Sequence, residues 1–267
     1  MKFGSIIGIV IACIGIAVGA TMEGANVMVV INIPAILIVL VGTLGATIAA
    51  CGLEAHIKLP ALYKKAIMPD ELDLVARVNE IVGYAEKARR DGLLALDEQV
   101  KTIEDSFTQK GLQLVVDGTD PDVVAAVLDA ENEGMRKRHA AGRNPFMQAG
   151  ALAPTMGIVG TVFGLVNVMN NLNNPEMLGP LIAAAFLATL IGVGSANIVF
   201  LPLANRLKEL SEEEMHFREM TLEGILGIQA GDNPRVIAEK LMAYVPPAKR
   251  PSEEEQAAQA AAQKQAA

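Results

Sequence analysis

Residues 178–201 read LGPLIAAAFLATLIGVGSANIVFL and contain no charged side chain. Three further stretches also lack Asp, Glu, Lys and Arg, namely residues 3–22, 24–53 and 144–175. A helix of roughly 20 apolar residues crosses the hydrocarbon core of a bilayer. Residues 33–51 and 178–201 are apolar on every side, whereas a helix on a soluble domain keeps a polar face. The sequence therefore predicts an all-α, polytopic membrane protein with four transmembrane helices and a helical cytoplasmic domain.

The distribution of basic residues predicts the topology. Positively charged residues near the ends of spans are retained on the cytoplasmic side of a membrane. The two short connections, residues 20–32 and 170–179, contain no Lys or Arg. All 22 Lys and Arg residues lie at Lys2, between Leu53 and Asn144, or after Asn205. We therefore expect both termini and the large loop in the cytoplasm.

The charge-free stretches also divide the chain into domains. We expect transmembrane helices 1 and 2 in residues 1–53, a cytoplasmic helical loop domain in 54–145, transmembrane helices 3 and 4 in 146–205, cytoplasmic C-terminal helices in 206–245 and a disordered tail in 246–267. The tail is assigned by composition, because Pro, Glu, Gln and Ala dominate it without apolar periodicity.

Local patterns predict helices in the cytoplasmic parts. Leu74, Val78 and Ile81 recur at helical spacing between charged residues. Asp120 followed by Pro121 is typical of a helix start. The same chemistry, Asn followed by Pro, opens the last predicted helix at residues 233 and 234.

The four predicted spans contain no carboxylate, Lys, Arg or His. Ionisable groups inside membranes usually mark ion pathways. If this protein moves ions, a partner must contribute the charged site; if it does not, the bundle only anchors the cytoplasmic domain. The histidines are scattered without metal-ligand spacing, no Gly precedes a Lys as in a Walker loop, and a net charge of −8 argues against nucleic acid. The sequence predicts no enzyme, no metal site and no cofactor.

Two hydroxyls in the spans are candidates for an ion pathway. A rise of about 1.5 Å per residue places Thr161 about 18 Å into the third span and Thr189 about 21 Å into the fourth. Both therefore lie near the midplane, where a Thr oxygen can contribute to a cage for a hard cation such as sodium. The alternative is that each hydroxyl bonds back to its own helix.

Two prolines and one charged string complete the candidates. Pro154 and Pro202 lie near the cytoplasmic ends of their spans, where they act as hinges or mark helix boundaries. Arg90 and Asp97 lie on one face if their helix is continuous, and form either a docking surface or an ordinary solvated face.

Several motifs are distributed over nearly the whole chain up to Pro246. They are Ala-Arg-Arg-x-Gly-Leu-Leu-Ala-Leu at 88–96, Lys110-Gly111 with Val116-Asp117-Gly118, Ala153-Pro154-Thr155-Met156-Gly157 leading to Gly164-Leu165, Ala188-Thr189-Leu190-x-Gly192, Phe200-x-Pro202-Leu203-Ala204-Asn205-x-Leu207, and Gly231-x-Asn233-Pro234-Arg235-Val236-Ile237. Together they resemble the MotA/PomA family of flagellar stator subunits.

The resemblance implies a stator in the bacterial inner membrane, with five copies around the single helices of a peptidoglycan-anchored MotB/PomB-like dimer. In that family an Asp of the partner binds the transported Na⁺ or H⁺, and the cytoplasmic domain of the ring pushes the rotor protein FliG. Matching positions make Pro154 and Pro202 the torque-transmitting prolines. The rotor-facing charges are then Arg89 or Arg90 with Asp97 or Glu98. The family has one Glu after the Leu at 96, so the resemblance does not choose between the two acids.

The resemblance also bears on the ion and on competing functions. Sodium-driven members tend to carry Thr at the positions of Thr161 and Thr189, so we expect sodium coupling. Acidic residues of the marine sodium-type subunit are replaced here by Asn32 and Ala151, which leaves ion entry open. The alternatives are an energiser of outer-membrane processes resembling ExbB/TolQ, whose three spans follow a different order, and a membrane scaffold without ion flux.

Overall fold

The computed structural model describes residues 4–24 and 31–250, without the side chains of Ser5 and Ile6. Within these ranges every regular element is helical. The tail expected to be disordered lies, from residue 251 onward, outside the described residues.

The helices follow one another along the chain with few interruptions. They are α1 (Gly4–Met22), α2 (Ile33–Ile36), α3 (Gly42–Cys51), α4 (Leu53–Ile57), α5 (Leu59–Ile67), α6 (Leu74–Asp91), α7 (Asp97–Val100), α8 (Ser106–Val116), α9 (Pro121–Asn170), α10 (Pro175–Ser195), α11 (Leu201–Ala230) and α12 (Pro234–Met242). Wider π-helical turns join α2 to α3 and α10 to α11, at Leu37–Val41 and Ala196–Phe200, and 3₁₀ turns occupy Leu93–Leu96 and Pro247–Lys249.

Several helix starts follow the chemistry expected from the sequence. The predicted starts at Pro121 and Pro234 are confirmed. The Asn233 side chain accepts a hydrogen bond from the Arg235 amide at 3.0 Å. Each capping side chain satisfies an amide that the first turn of a helix leaves without a partner.

Three described segments are long and apolar enough to cross a membrane. They are Ile33–Cys51, Pro121–Asn170 and Pro175–Ala230, with mean hydropathies of 2.3, 1.7 and 2.0 in their most apolar windows. A shorter apolar helix covers Ile7–Met22. The all-helical architecture is confirmed, and the fourth span remains a prediction.

The chain divides into two compact units. Among the described residues, the first unit comprises those within Met1–Asp70 and Lys137–Ser211, and the second comprises those within Glu71–Arg136 and Glu212–Ala267. In the first unit, α10 contacts α2 and the π-helical turn that follows it. Ala35 and Val39 are buried there against Ala188.

The second unit has a core of large apolar side chains. Phe107, Ile81, Leu112, Leu128 and Ile225 are all fully buried within it. Burial of this kind is the main force that folds domains in water.

An arginine organises the polar edge of this core. Arg77 donates to the Thr108 hydroxyl at 2.6 Å and pairs with Asp105 at 3.2 Å. Its guanidinium also stacks over the Phe217 ring, 4.8 Å from the centroid. Nearby, burial and the Glu80 carboxylate, which accepts the tyrosine hydrogen bond, raise the pKa of Tyr84.

Candidate functional site

Helices α9 and α10 of the first unit touch through their backbones. A methyl group added to Gly192 would lie 2.6 Å from the Ala153 carbonyl oxygen, and one added to Gly157 would lie 2.9 Å from the Ala188 carbonyl oxygen. No side chain can occupy those two positions without moving a backbone. In lipid, helices associate through such small residues because apolar burial does not distinguish a neighbouring helix from acyl chains.

This close approach brings the two predicted threonines together. The hydroxyl oxygens of Thr161 and Thr189 lie 2.5 Å apart. Thr161 Oγ1 also lies 3.0 Å from the Ala185 carbonyl oxygen and 3.1 Å from the Gly157 carbonyl oxygen. We call these four atoms the oxygen cluster. Thr161 can thus donate to its own helix at Gly157, the alternative raised by the sequence, or across to Ala185 on α10.

The oxygen cluster consists of two hydroxyl oxygens and two helix carbonyl oxygens. Each Thr hydroxyl carries one proton, so Thr161 can donate to only one of its neighbours at a time. The four oxygens carry two lone pairs each, and the two hydroxyl protons and the helical amide protons use only part of that acceptor capacity. Hard cations prefer oxygen ligands of this kind.

Charge is absent from the cluster. Among the residues that the structure describes, no group of three or more His, Cys, Asp or Glu side chains could hold a metal ion. The oxygen cluster therefore offers dipoles alone, and a full negative charge must come from elsewhere if a cation is to be held in lipid.

The two prolines flank a close contact between α9 and α11 in the first unit. Gly150 lies one turn before Pro154, and a methyl group added to it would overlap the side chain of Leu201, the residue before Pro202. Pro154 lies inside α9, so it is not a helix boundary. Pro202 is the second residue of α11 and directly follows the π-helical turn Ala196–Phe200. Both prolines remove a backbone donor beside this contact.

A polar group at the end of α3 was missed by sequence reasoning. His56 Nε2 lies 3.0 Å from Thr47 Oγ1, and His56 Nδ1 lies 2.9 Å from the Gly52 carbonyl oxygen. Thr43, one turn before Thr47, is buried, and its hydroxyl has no hydrogen-bond partner among the described residues. The spacing of the two threonines on an apolar helix was visible in the sequence, but the return of His56 was not.

The charged string in the second unit is not one helix. Helix α6 ends at Asp91, and Gly92 has φ +88°, a conformation that disfavours side chains. The condition that placed Arg90 and Asp97 on one continuous helical face is therefore wrong. They lie on separate segments joined by the 3₁₀ turn Leu93–Leu96.

The four candidate charges differ in their local partners. Arg90 pairs with Asp91 at 3.2 Å, and Asp97 accepts a hydrogen bond from Lys101 at 2.5 Å. That hydrogen bond raises the pKa of Lys101. Arg89 and Glu98 are exposed and form no ion pair within the described part of the chain.

Comparison with known proteins places the chain among related sequences. Residues 99–220 match the MotA/TolQ/ExbB proton channel family. The chain is 36% identical to motility protein A of Bacillus subtilis over 243 residues, which cover 91% of this chain and 90% of that relative.

Two solved structures share the fold. The structure of C. jejuni MotAB superposes with a TM-score of 0.90 at 29% identity, covering 95% of this chain and 100% of that chain. The flagellar MotAB stator complex from Bacillus subtilis superposes with a TM-score of 0.86 at 36% identity, covering 91% and 96%.

Proposed function

The chain belongs to the motility protein A group of the MotA/TolQ/ExbB family, and we infer from this that it is a stator subunit of a bacterial flagellar motor. The observation that carries the inference is similarity over nine-tenths of both chains, in sequence and in fold, to proteins of that motor. An ExbB/TolQ-like energiser and a scaffold without ion flux are less well supported, because neither accounts for this full-length similarity.

We further propose that the chain lies in the inner membrane as four spans with both termini in the cytoplasm. The helix Gly4–Met22 supplies the fourth span. The confinement of Lys and Arg to the termini and the large loop supports this orientation.

The partner is a MotB-like subunit anchored to peptidoglycan. The solved relatives are MotAB complexes, and the spans of this chain lack any carboxylate. A membrane Asp on the partner supplies the charge that the oxygen cluster lacks. Five copies of the chain around a partner dimer remain the expected assembly.

Sodium is the proposed coupling ion. In the oxygen cluster, one hydroxyl and two carbonyl oxygens lie within hydrogen-bonding distance of Thr161 Oγ1, and sodium is a hard cation that takes oxygen ligands in place of water. A chain with Ala at the position of Thr161 would lack the hydroxyl oxygen that lies within hydrogen-bonding distance of the other three oxygens of the cluster. The ion crosses the membrane as cargo, and no cofactor is required.

Torque reaches the rotor through exposed charges of the second unit. Glu98 and Arg89 are the charges that we assign to FliG, since Asp97 and Arg90 are engaged by neighbours. Pro154 and Pro202 act as hinges beside the contact of Gly150 with Leu201. The charged pair and the proline pair thus take the rotor-contacting and torque-transmitting roles that the family resemblance implies.

Expression of the chain with its partner in a flagellated strain that lacks stators tests the function. We expect tethered cells to rotate, with speed rising in discrete steps as stators join the motor. An assembled membrane complex that never produces rotation would contradict the assignment and favour the energiser or the scaffold.

A further inference from the structure

The segment that follows α3 is fixed to the end of that helix. Gly52 turns the chain with φ +80°, and α4 begins one residue later. The His56 ring then bonds back to Thr47 Oγ1 and to the Gly52 carbonyl oxygen. We call residues 53–68 the α4–α5 segment. Because α3 ends the proposed second span, the segment starts at the membrane surface.

One face of the α4–α5 segment is packed onto other helices of the first unit. Ala66 is buried in a cluster with Phe146 and Ala204, and Leu59 and Leu62 pack against the same cluster. The segment is therefore held along the helices that continue into the proposed spans.

The segment also has large apolar side chains that are exposed. Leu53, Ile57, Tyr63 and Met68 are 62%, 71%, 45% and 60% exposed. Leu53 and Ile57 are four residues apart on α4 and so share a face. Single exposed apolar residues need no explanation, but a cluster of them marks an interaction surface.

The charge of the segment has the opposite sign to that of the chain. Residues 53–68 contain Lys58, Lys64 and Lys65, all exposed, and a single acid, Glu54. Three lysines and one glutamate give +2, whereas the whole chain carries −8. An acidic chain therefore presents a local basic surface beside its exposed apolar side chains.

We propose that the α4–α5 segment binds anionic phospholipids of the cytoplasmic leaflet. Helices that combine exposed apolar side chains with lysines lie in the headgroup layer, where the apolar atoms reach the acyl chains. Lysine stems extend so that the ammonium groups meet phosphates, and Tyr63 suits the same boundary. The alternative occupant is a second copy of the chain, which would need acidic side chains opposite the lysines. Lipid at the membrane surface already presents phosphates there, so we assign the surface to lipid. The inference goes beyond the proposed function, since it concerns lipid and not torque.

The absence of Trp from the chain provides a probe. Ile57→Trp, in the full-length chain with its partner, is reconstituted in mixed phosphatidylglycerol and phosphatidylcholine vesicles. The fluorescence of the unsubstituted complex is subtracted, so the difference belongs to position 57. We expect stronger quenching when bromine is on the phosphatidylglycerol acyl chains than when it is on phosphatidylcholine. Val236→Trp, at a half-exposed position on α12, serves as the cytoplasmic control and should not be quenched.

Charge removal tests headgroup recognition. In the Ile57→Trp background, K58Q/K64Q should lower the affinity for phosphatidylglycerol relative to phosphatidylcholine at least fivefold, because each lysine near an anionic surface contributes roughly a fivefold factor. K87Q/K249Q removes the same charge from the second unit and should leave the ratio unchanged.

Three results would overturn the proposal. Absence of quenching by either lipid would mean that protein covers Ile57. Equal quenching by both lipids would show apolar insertion without anionic recognition. An equal loss of selectivity in the two double variants would reduce the effect to the overall charge of the chain.

Discussion

The crossing of α9 and α10 and the core of the second unit are packed with opposite kinds of side chain. At the crossing, Gly157 and Gly192 bring backbones into contact, whereas the second unit buries Phe107 and Ile81. Apolar burial drives folding in water but does not drive helices together in lipid. The comparison teaches that the helix crossing depends on positions without side chains, whereas the core of the second unit depends on large buried side chains.

Deleting a core side chain should have the largest effect. Phe107 is fully buried and carries the Arg218 guanidinium over its ring at 4.9 Å. Phe107→Ala should lower the stability of the second unit by about 3–5 kcal/mol. Hydrogen exchange at the α8 amides in the intact complex measures this, with an expected acceleration of about a hundredfold or more. Unchanged exchange would mean that this core is not what holds the unit together.

Adding a single methyl group to a glycine should have different effects on stability in the two regions. At Gly192 the methyl meets backbone, the Ala153 carbonyl oxygen at 2.6 Å, and at Gly111 it meets the end of a side chain, Ile225 Cδ1, at 2.5 Å. A side-chain end can rotate away and a helix backbone cannot. Gly192→Ala should therefore destabilise the crossing by about 1–3 kcal/mol or more, and Gly111→Ala should cost clearly less.

The yield of complex with the partner in mild detergent, followed by rotation assays, checks this pair of variants. Gly194→Ala, on α10 with open space around it, is the matched control and should behave as the unsubstituted chain does. Normal assembly and rotation of Gly192→Ala would show that the backbone contact is not needed.

The smallest effect is expected on the exposed surface of the second unit. Glu98→Lys should reduce rotation speed under load by about threefold, since exposed charges steer docking without holding a fold together. Asp97→Lys should weaken rotation less, because Lys101 already engages Asp97. Bead-rotation assays compare the two, and membrane levels of the complex should stay constant. The reverse order of effects would assign the rotor contact to Asp97.

Local chemistry explains how much of the fold could be predicted. The starts at Pro121 and Pro234 depend on a capping side chain and a following proline, which act within one turn. The end of α6 was also readable, because Gly92 comes directly after a last turn that contains Arg89 and Arg90, a pattern common at helix C-termini. It was missed because Arg90 and Asp97 were treated as residues of one continuous helix.

Features that depend on distant residues could not be predicted. The π-helical turns at Leu37–Val41 and Ala196–Phe200 were not predicted, since such turns are rare single-turn interruptions of α-helices. The Thr161–Thr189 contact was approached by counting depth along two spans. Depth alone did not reveal the Gly157 and Ala185 carbonyl oxygens that complete the cluster.

Rotation speed measured while external sodium is titrated at fixed pH tests the central claim, that the oxygen cluster lies on the ion path. The account predicts that speed rises with sodium and saturates. Thr189→Val should raise the half-saturating sodium concentration by about tenfold, since one oxygen ligand is lost at nearly constant volume, whereas Thr189→Ser should stay close to the unsubstituted chain. Speed that is indifferent to sodium, or an unchanged midpoint in Thr189→Val, would contradict the claim and leave the two threonines as packing residues.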